Sequence, residues 1–159
     1  FPAVGRISPD YYCMDGTIPR GQLPHVLGRI GELSQSYGLR VANVFHAGDG
    51  NLHPLVLYDS NREGDLEKAE ALGAEILKLC VEVGGVLSGE HGVGIEKRDL
   101  MPCMFGDEDL DAQERIKAGF DEGQVLNPGK VYPVLRRCVE GGAMHVHGGE
   151  EQFPDLERF

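Results

Sequence analysis

Residues 41–58 hold two apolar runs rich in β-formers, Val41 to His46 and Asn51 to Tyr58, joined by Ala47-Gly48-Asp49-Gly50. A histidine stands on each side of the joint, at His46 and His53. Such runs with a glycine-rich turn between them read as a β-hairpin, and a hairpin commits the chain to an antiparallel sheet. Pairing His46 with Asn51 across the turn sets Val44 opposite His53. Strand side chains alternate with period two, so positions 44, 46, 51 and 53 share one face. His46 and His53 become diagonal neighbours, roughly 7 Å apart at the backbone and within reach of each other's long side chains.

The flanking sequence supplies the rest of an α+β fold. Tyr11 to Ile18 suits a short strand interrupted by Pro19. From Gly21 to Tyr37 the apolar positions Leu23, Val26, Leu27, Ile30 and Leu33 recur at helical spacing. Pro24 fits the first turn of that helix and Gly38 its stop. Asp59-Ser60-Asn61 offers caps for a helix over about 64–83. Its buried stripe is expected to run through Leu66, Ala69, Leu72 or Gly73, Ile76, Cys80 and Val83. Val86-Leu87-Ser88 reads as a final strand. Ile95 to Phe105 is weakly helical, and a stronger helix over about 107–122 is expected to turn Leu110, Ile116 and Phe120 inward.

The order strand–helix–strand–strand–helix–strand is a ferredoxin-like split βαβ arrangement. It predicts an antiparallel sheet with helices on one face, additional C-terminal helices, and a second face free to meet a ligand or another domain. Residues 1–133 are expected to form the domain. Residues 134–159 have few apolar anchors and read as an extended C-terminal tail, in which His145 and His147 serve as surface or oligomer contacts.

Composition narrows the function. Fifteen Lys and Arg against 26 Asp and Glu give a net charge of −11, which argues against nucleic acid, whose phosphates need clustered cations. No apolar stretch approaches the roughly 20 residues that cross a bilayer. The four cysteines, Cys13, Cys80, Cys103 and Cys138, form no CxxC and read as reduced thiols of a cytoplasmic protein. The chain opens at Phe1 without a start-like or signal-peptide pattern, and the expectation is a piece cut from something longer.

A second motif, Ser88-Gly89-Glu90-His91-Gly92-Val93-Gly94, follows the last strand. Glu90 can join His46 and His53 as an anionic third ligand from the adjacent strand end. Two imidazoles and a carboxylate are a common ligand set for a divalent transition metal with open positions. His91 beside Glu90 is then free to move a proton. Taken singly, each of these residues is an ordinary polar loop residue more often than a ligand; the set, in glycine-rich surroundings that let backbone approach a cofactor, points to a site. No GxGxxG or GxxxxGK[ST] occurs.

The combination HAGDGNLHP, SGEHGVG and LNPGK resembles the C-terminal (cap) domain of FAD-linked oxidases of the vanillyl-alcohol-oxidase superfamily. Within it the chain is most similar to the group of bacterial glycolate oxidase D subunits and D-lactate dehydrogenases. The resemblance covers roughly Phe1 to Pro133. It implies that His46, His53 and Glu90 are metal ligands and that His91 is the catalytic base. It also implies that Asn51, Asn127 of the NPGK motif and Arg20 lie near the flavin or the site. Met14 stands where some hydroxyglutarate-type relatives carry a substrate-contacting lysine, which favours a smaller 2-hydroxy acid. The N-terminal FAD-binding domain is expected to be absent from this chain.

The chemistry so implied is oxidation of a small 2-hydroxy acid, glycolate or D-lactate, to the 2-oxo acid by hydride transfer to FAD. A divalent metal, Zn or else Fe or Mn, would polarise the hydroxyl, and neutral His91 would take its proton. Expected partners are the protein's own FAD-binding domain and other glycolate oxidase subunits or a second copy. The expected location is the cytoplasm, or the periphery of the inner face of the membrane. Two other readings stay open: a stand-alone metal hydrolase built on the same donor set, and a non-catalytic interaction module. On the cap reading, the 159-residue chain alone should not turn over glycolate or D-lactate with a dye acceptor. Measurable turnover by the pure chain would overturn it.

Overall fold

The computed structural model describes residues 2–133. Strands β1 (Asp10–Cys13) and β2 (Gly16–Thr17) precede helix α1 (Leu23–Tyr37). Strands β3 (Arg40–His46) and β4 (Asn51–Tyr58) follow, then helices α2 (Asp65–Glu82) and α3 (Asp107–Phe120). Short 3-10 turns occupy Val4–Arg6, Arg20–Gln22 and Arg98–Cys103. Residues 134–159, including His145 and His147, lie outside the described residues.

β4 is the axis of the sheet. It pairs antiparallel with β3 along the whole of that strand, from Arg40↔Leu57 to His46↔Asn51. On its other side it pairs with β1, from Asp10↔Tyr58 to Cys13↔Leu55, and with β2 through Gly16↔Leu52 and Thr17↔Asn51. β1 and β2 hold one register, so the expected strand over 11–18 exists but is broken at Met14-Asp15. Pro54 lies opposite the break. The Met14 N–H donates to the Pro54 carbonyl at 3.1 Å, but proline has no N–H to return. The chain is therefore released from the ladder at this point.

The expected fourth strand shrinks to one antiparallel bridge, Thr17↔Val86. Beyond it the backbone N–H groups of residues 89–91 point to the Asp15 side chain rather than to a neighbouring strand. The spatial order is thus the Val86 bridge, β1 with β2, β4, then β3. This is the split βαβ order of an antiparallel α+β sheet.

Helices α1 and α2 cover one face. Leu52 and Val56 of β4 pack against Val26 and Ile30 of α1 and Ala69, Leu72, Ile76 and Cys80 of α2. A second cluster joins Met14, Leu77, Leu87, Met101 and Leu110. Gly38 ends α1 in the left-handed conformation at φ 67°, where a Cβ is disfavoured. Burial pushes the Cys80 thiol up to about 12, as befits a small core residue. The opposite face is partly covered by Val4 against Leu55 and Leu57, and its remainder carries the histidines.

Two expected stripes are shorter than anticipated. Leu110 is fully buried, but Ile116 and Phe120 are 65% and 85% exposed. The positions that share the Leu110 face, three, four and seven residues on, are Gln113, Glu114 and Lys117, so Ile116 and Phe120 project elsewhere. Leu66, in the first turn of α2, also stays exposed.

Gly50 closes the hairpin at φ 76°, and a Cβ there would stand 2.1 Å from the Ile18 carbonyl oxygen. Gly48 has open space around its Cα. Gly50→Ala should therefore cost at least about 2 kcal/mol, and Gly48→Ala no more than about 0.5 kcal/mol. Urea denaturation midpoints of the two variants check the contrast.

Candidate functional site

The site is built on the hairpin register. Val44 opposes His53 and His46 opposes Asn51, as the spacing predicts. The two imidazoles meet edge-on with centroids 5.4 Å apart. His53, on the central strand, is 7% exposed; His46, near the strand end, is open to solvent.

Glu90 reaches this pair from the loop after the Val86 bridge. Its Oε1 lies 2.7 Å from His53 Nε2 and 3.9 Å from His46 Nε2. One ligand atom from each of His46, His53 and Glu90 falls within 4.8 Å of the others. Donors sharing a zinc-sized ion at about 2.0–2.2 Å in tetrahedral geometry stand roughly 3.3–3.6 Å apart. Movements of about an ångström would seat all three on one ion, and the nitrogen and carboxylate donors suit zinc, iron or manganese. The residues therefore fit a divalent metal.

Other groups converge on the same patch. The His91 ring stacks on His53 at 5.1 Å with an interplanar angle of 23°. Asn51 Nδ2 lies 3.3 Å from Glu90 Oε1 and 3.4 Å from His53 Nε2. Thr17 Oγ1, Asn51 Oδ1 and His53 Nδ1 are buried without a hydrogen-bond partner among the described residues. Their registers place all three on the face that carries the histidines.

Arg20 and Asn127 sit further out. Arg20 is exposed and directs Nη1 at the Gly48 carbonyl, 3.5 Å away, at the tip of the hairpin. Asn127 occupies a left-handed turn at φ 48°. That turn flanks the glycine segment after His91: the Val131 N–H donates to the Gly94 carbonyl at 2.7 Å. Arg98 Nη1 donates to the Gly129 carbonyl at 2.8 Å. Lys130 and His91 line a common cleft of about 310 Å³. A larger cavity of about 630 Å³ lies between α3 and residues 128–133, and none of the histidines or Glu90 lines it.

Met14 faces away from the site. It is 2% exposed and packs with Leu77 and Leu87 on the helix side. Its identity therefore says nothing direct about substrate size, and that argument for a smaller acid falls away. The neighbours of the broken strand that share the site face are Cys13 and Asp15.

Asp15 and Lys97 are the residues that the sequence reading missed. Asp15 is fully buried and its carboxylate accepts from Ser88 Oγ at 2.7 Å. It also accepts from the N–H groups of Gly89 at 3.0 Å, Glu90 at 3.1 Å and His91 at 2.9 Å. Lys97 Nζ, 2% exposed, donates to the Asp15 carboxylate at 3.2 Å and to its carbonyl at 2.7 Å. The available signal was a lone acid inside an apolar strand, on the same face as positions 51 and 53.

Burial by itself would raise the Asp15 carboxyl. The bonds from Ser88 and from the amides of His91 and Glu90, together with the Lys97 charge, outweigh it and hold the group well below the usual carboxylate range. A depressed value contributes stability above the unfolded value of about 4 and loses it as pH falls through the folded value. In chelator, the native protein should lose denaturation free energy below about pH 4. Asp15→Asn should be less stable at pH 7 by about 3 kcal/mol and should show a flatter decline from pH 4 to pH 2. Denaturant melts across that range check both.

Fold and site together define an α+β domain that presents a two-histidine, one-carboxylate donor set with a third histidine stacked beside it. The chain belongs to the family "FAD linked oxidases, C-terminal domain", whose family model matches residues 1–131. It is 62% identical over all 159 residues to "Glycolate oxidase subunit GlcD" of Escherichia coli strain K12, covering 32% of that protein. Identity to the Bacillus subtilis "Glycolate oxidase subunit GlcD" is 35% over 130 residues, covering 82% of this chain and 28% of the relative. Identity to "D-lactate dehydrogenase" of Archaeoglobus fulgidus is 38% over 120 residues, covering 74% of this chain and 26% of the relative. The chain spans between a quarter and a third of the length of these relatives.

Proposed function

We propose that this chain is the substrate- and metal-binding cap of an FAD-dependent 2-hydroxy acid oxidoreductase of the glycolate oxidase D-subunit type. Its substrate is a small 2-hydroxy acid, glycolate or D-lactate, and its product the 2-oxo acid. The observation that carries the reading is the gathering of His46, His53 and Glu90 donor atoms within 4.8 Å, with His91 stacked on one of them. Family membership favours this chemistry over activation of water by the same donors.

His46, His53 and Glu90 would hold the divalent ion. When bound, the metal supplies Lewis acidity toward the substrate oxygens and the flavin supplies the acceptor for hydride. The chain's own side chains do the rest. His91 takes the hydroxyl proton as general base; its stacking on His53 fixes the plane of its ring. Asn51 Nδ2, within hydrogen-bond reach of Glu90, restrains the carboxylate. Arg20 at the hairpin tip and Asn127, in the turn beyond the 92–94 glycine segment, would meet a flavin-bearing domain.

The partners implied are the protein's own FAD-binding domain and other oxidase subunits or a second copy. The location implied is the cytoplasm or its membrane periphery. No helix of the described residues is long and apolar enough to cross a membrane.

The ligand and base roles separate by mutation. His46→Ala and His53→Ala in the intact protein should abolish bound metal, with the far-UV circular dichroism preserved. His91→Ala should keep the metal and lower kcat by about 10²- to 10⁴-fold. Metal analysis beside steady-state kinetics reads the difference. Full metal content in both ligand variants would reject the assignment.

A further inference from the structure

The segment Ser88 to His91 carries both a proposed ligand and the proposed base, yet among the described residues it has no ladder partner of its own beyond Val86. It is exposed at Gly89, Glu90 and His91, so side-chain packing does not fix it. What meets its backbone is one buried carboxylate. Three consecutive amides, those of Gly89, Glu90 and His91, and the Ser88 hydroxyl all donate to Asp15. Ser88 Oγ in turn accepts the Gly92 N–H at 2.8 Å, so the chain of bonds continues past His91. Successive amides wrapped on an anion form a nest; here the anion is the protein's own side chain.

Asp15 is well placed for this because it lies opposite His53 in the register that joins β1 and β2 to β4. Pairing on the Val86 side is confined to the Thr17 bridge, which leaves the Asp15 carbonyl for Lys97. Lys97 thus holds the acid by both its backbone and its side chain. Gly89 adds a steric condition, since a Cβ there would meet Asn51 Oδ1 at 2.5 Å and Thr17 Oγ1 at 2.6 Å. The loop therefore lies directly on the strand face.

We propose that Asp15, backed by Lys97, is a positioning residue that clamps the 88–91 backbone so that Glu90 meets His53 and His46 while His91 stacks beside them. The clamp acts through the loop and touches neither metal nor substrate. Its consequence for metal affinity rests on the ligand assignment proposed above; its consequence for the loop backbone does not.

A residue needed only to balance a buried charge would behave differently. Removing both partners together, as in Asp15→Asn with Lys97→Met, leaves no uncompensated ion, and such replacements are often neutral for stability. The amides of residues 89–91 would still lack their carboxylate. The experiment compares the intact protein with Asp15→Asn, this double variant and Ser88→Ala. It uses Zn²⁺ titration against a competing chelator and hydrogen–deuterium exchange of the peptide spanning residues 88–91.

The clamp predicts weaker Zn²⁺ binding by about 10- to 100-fold in Asp15→Asn and in the double variant, the range for groups that orient ligands from behind. It predicts a smaller loss in Ser88→Ala. Exchange at 89–91 should rise at least about tenfold in both Asp15 variants, while α1 and α2 stay protected. Zn²⁺ affinity and local exchange within twofold of the parent in the double variant would overturn the proposal. A parent protein that takes up no Zn²⁺ sinks the ligand assignment instead. The exchange arm then decides alone, with local loosening supporting the clamp and unchanged protection refuting it.

Discussion

Everything at the site depends on the register of β3 against β4. The residues opposite one another across the 47–50 turn decide which side chains share a face, and a slip of one residue would send His53 into the helix-covered core. Two local features hold the register. Gly50 turns at positive φ against the Ile18 carbonyl, where no other residue fits. Leu52 and Val56 must face α1 and α2 to be buried. Once the even positions of β4 are committed to the core, Asn51 and His53 are committed to the other side.

The second half of the site comes from a loop 37 residues further on, and it arrives by a different physical route. Hydrophobic burial anchors its base, where Leu87 is buried with Leu77 and Met101. Beyond that residue, polar bonds replace apolar contacts. A buried carboxylate receiving backbone N–H groups costs desolvation and repays it only when all its bonds are made. Asp15 makes them with Ser88, with three amides and with Lys97. The fold thus divides its labour, with packing fixing the hairpin and a charged network fixing the loop.

Local patterns in the sequence carried the first half of this and little of the second. The hairpin, its register, α1 and α2 were legible because periodicity and turn chemistry act over a few residues. The trio His46, His53 and Glu90 was legible because two of its members lie on one hairpin and the third stands in a glycine-rich run. Asp15 and Lys97 were not, because their meaning lies in a contact across 82 residues of chain. The break in the first strand was hidden for a similar reason, since its cause, Pro54, belongs to another strand. Helix α3 misled through composition: Ile116 and Phe120 are apolar but stand off the Leu110 face, and only the packing reveals that they remain exposed. Met14 misled through its address in the sequence, which gave no sign of the face to which its side chain turns.

The central claim is that two imidazoles of the hairpin and the carboxylate of the loop share one ion while His91 stays off it. X-ray absorption at the metal edge of the zinc-loaded intact protein tests this most directly. The account predicts a first shell with two imidazole nitrogens and carboxylate oxygen at about 2.0–2.2 Å, unchanged in His91→Ala. A shell of oxygens alone, or loss of a nitrogen in His91→Ala, would contradict it.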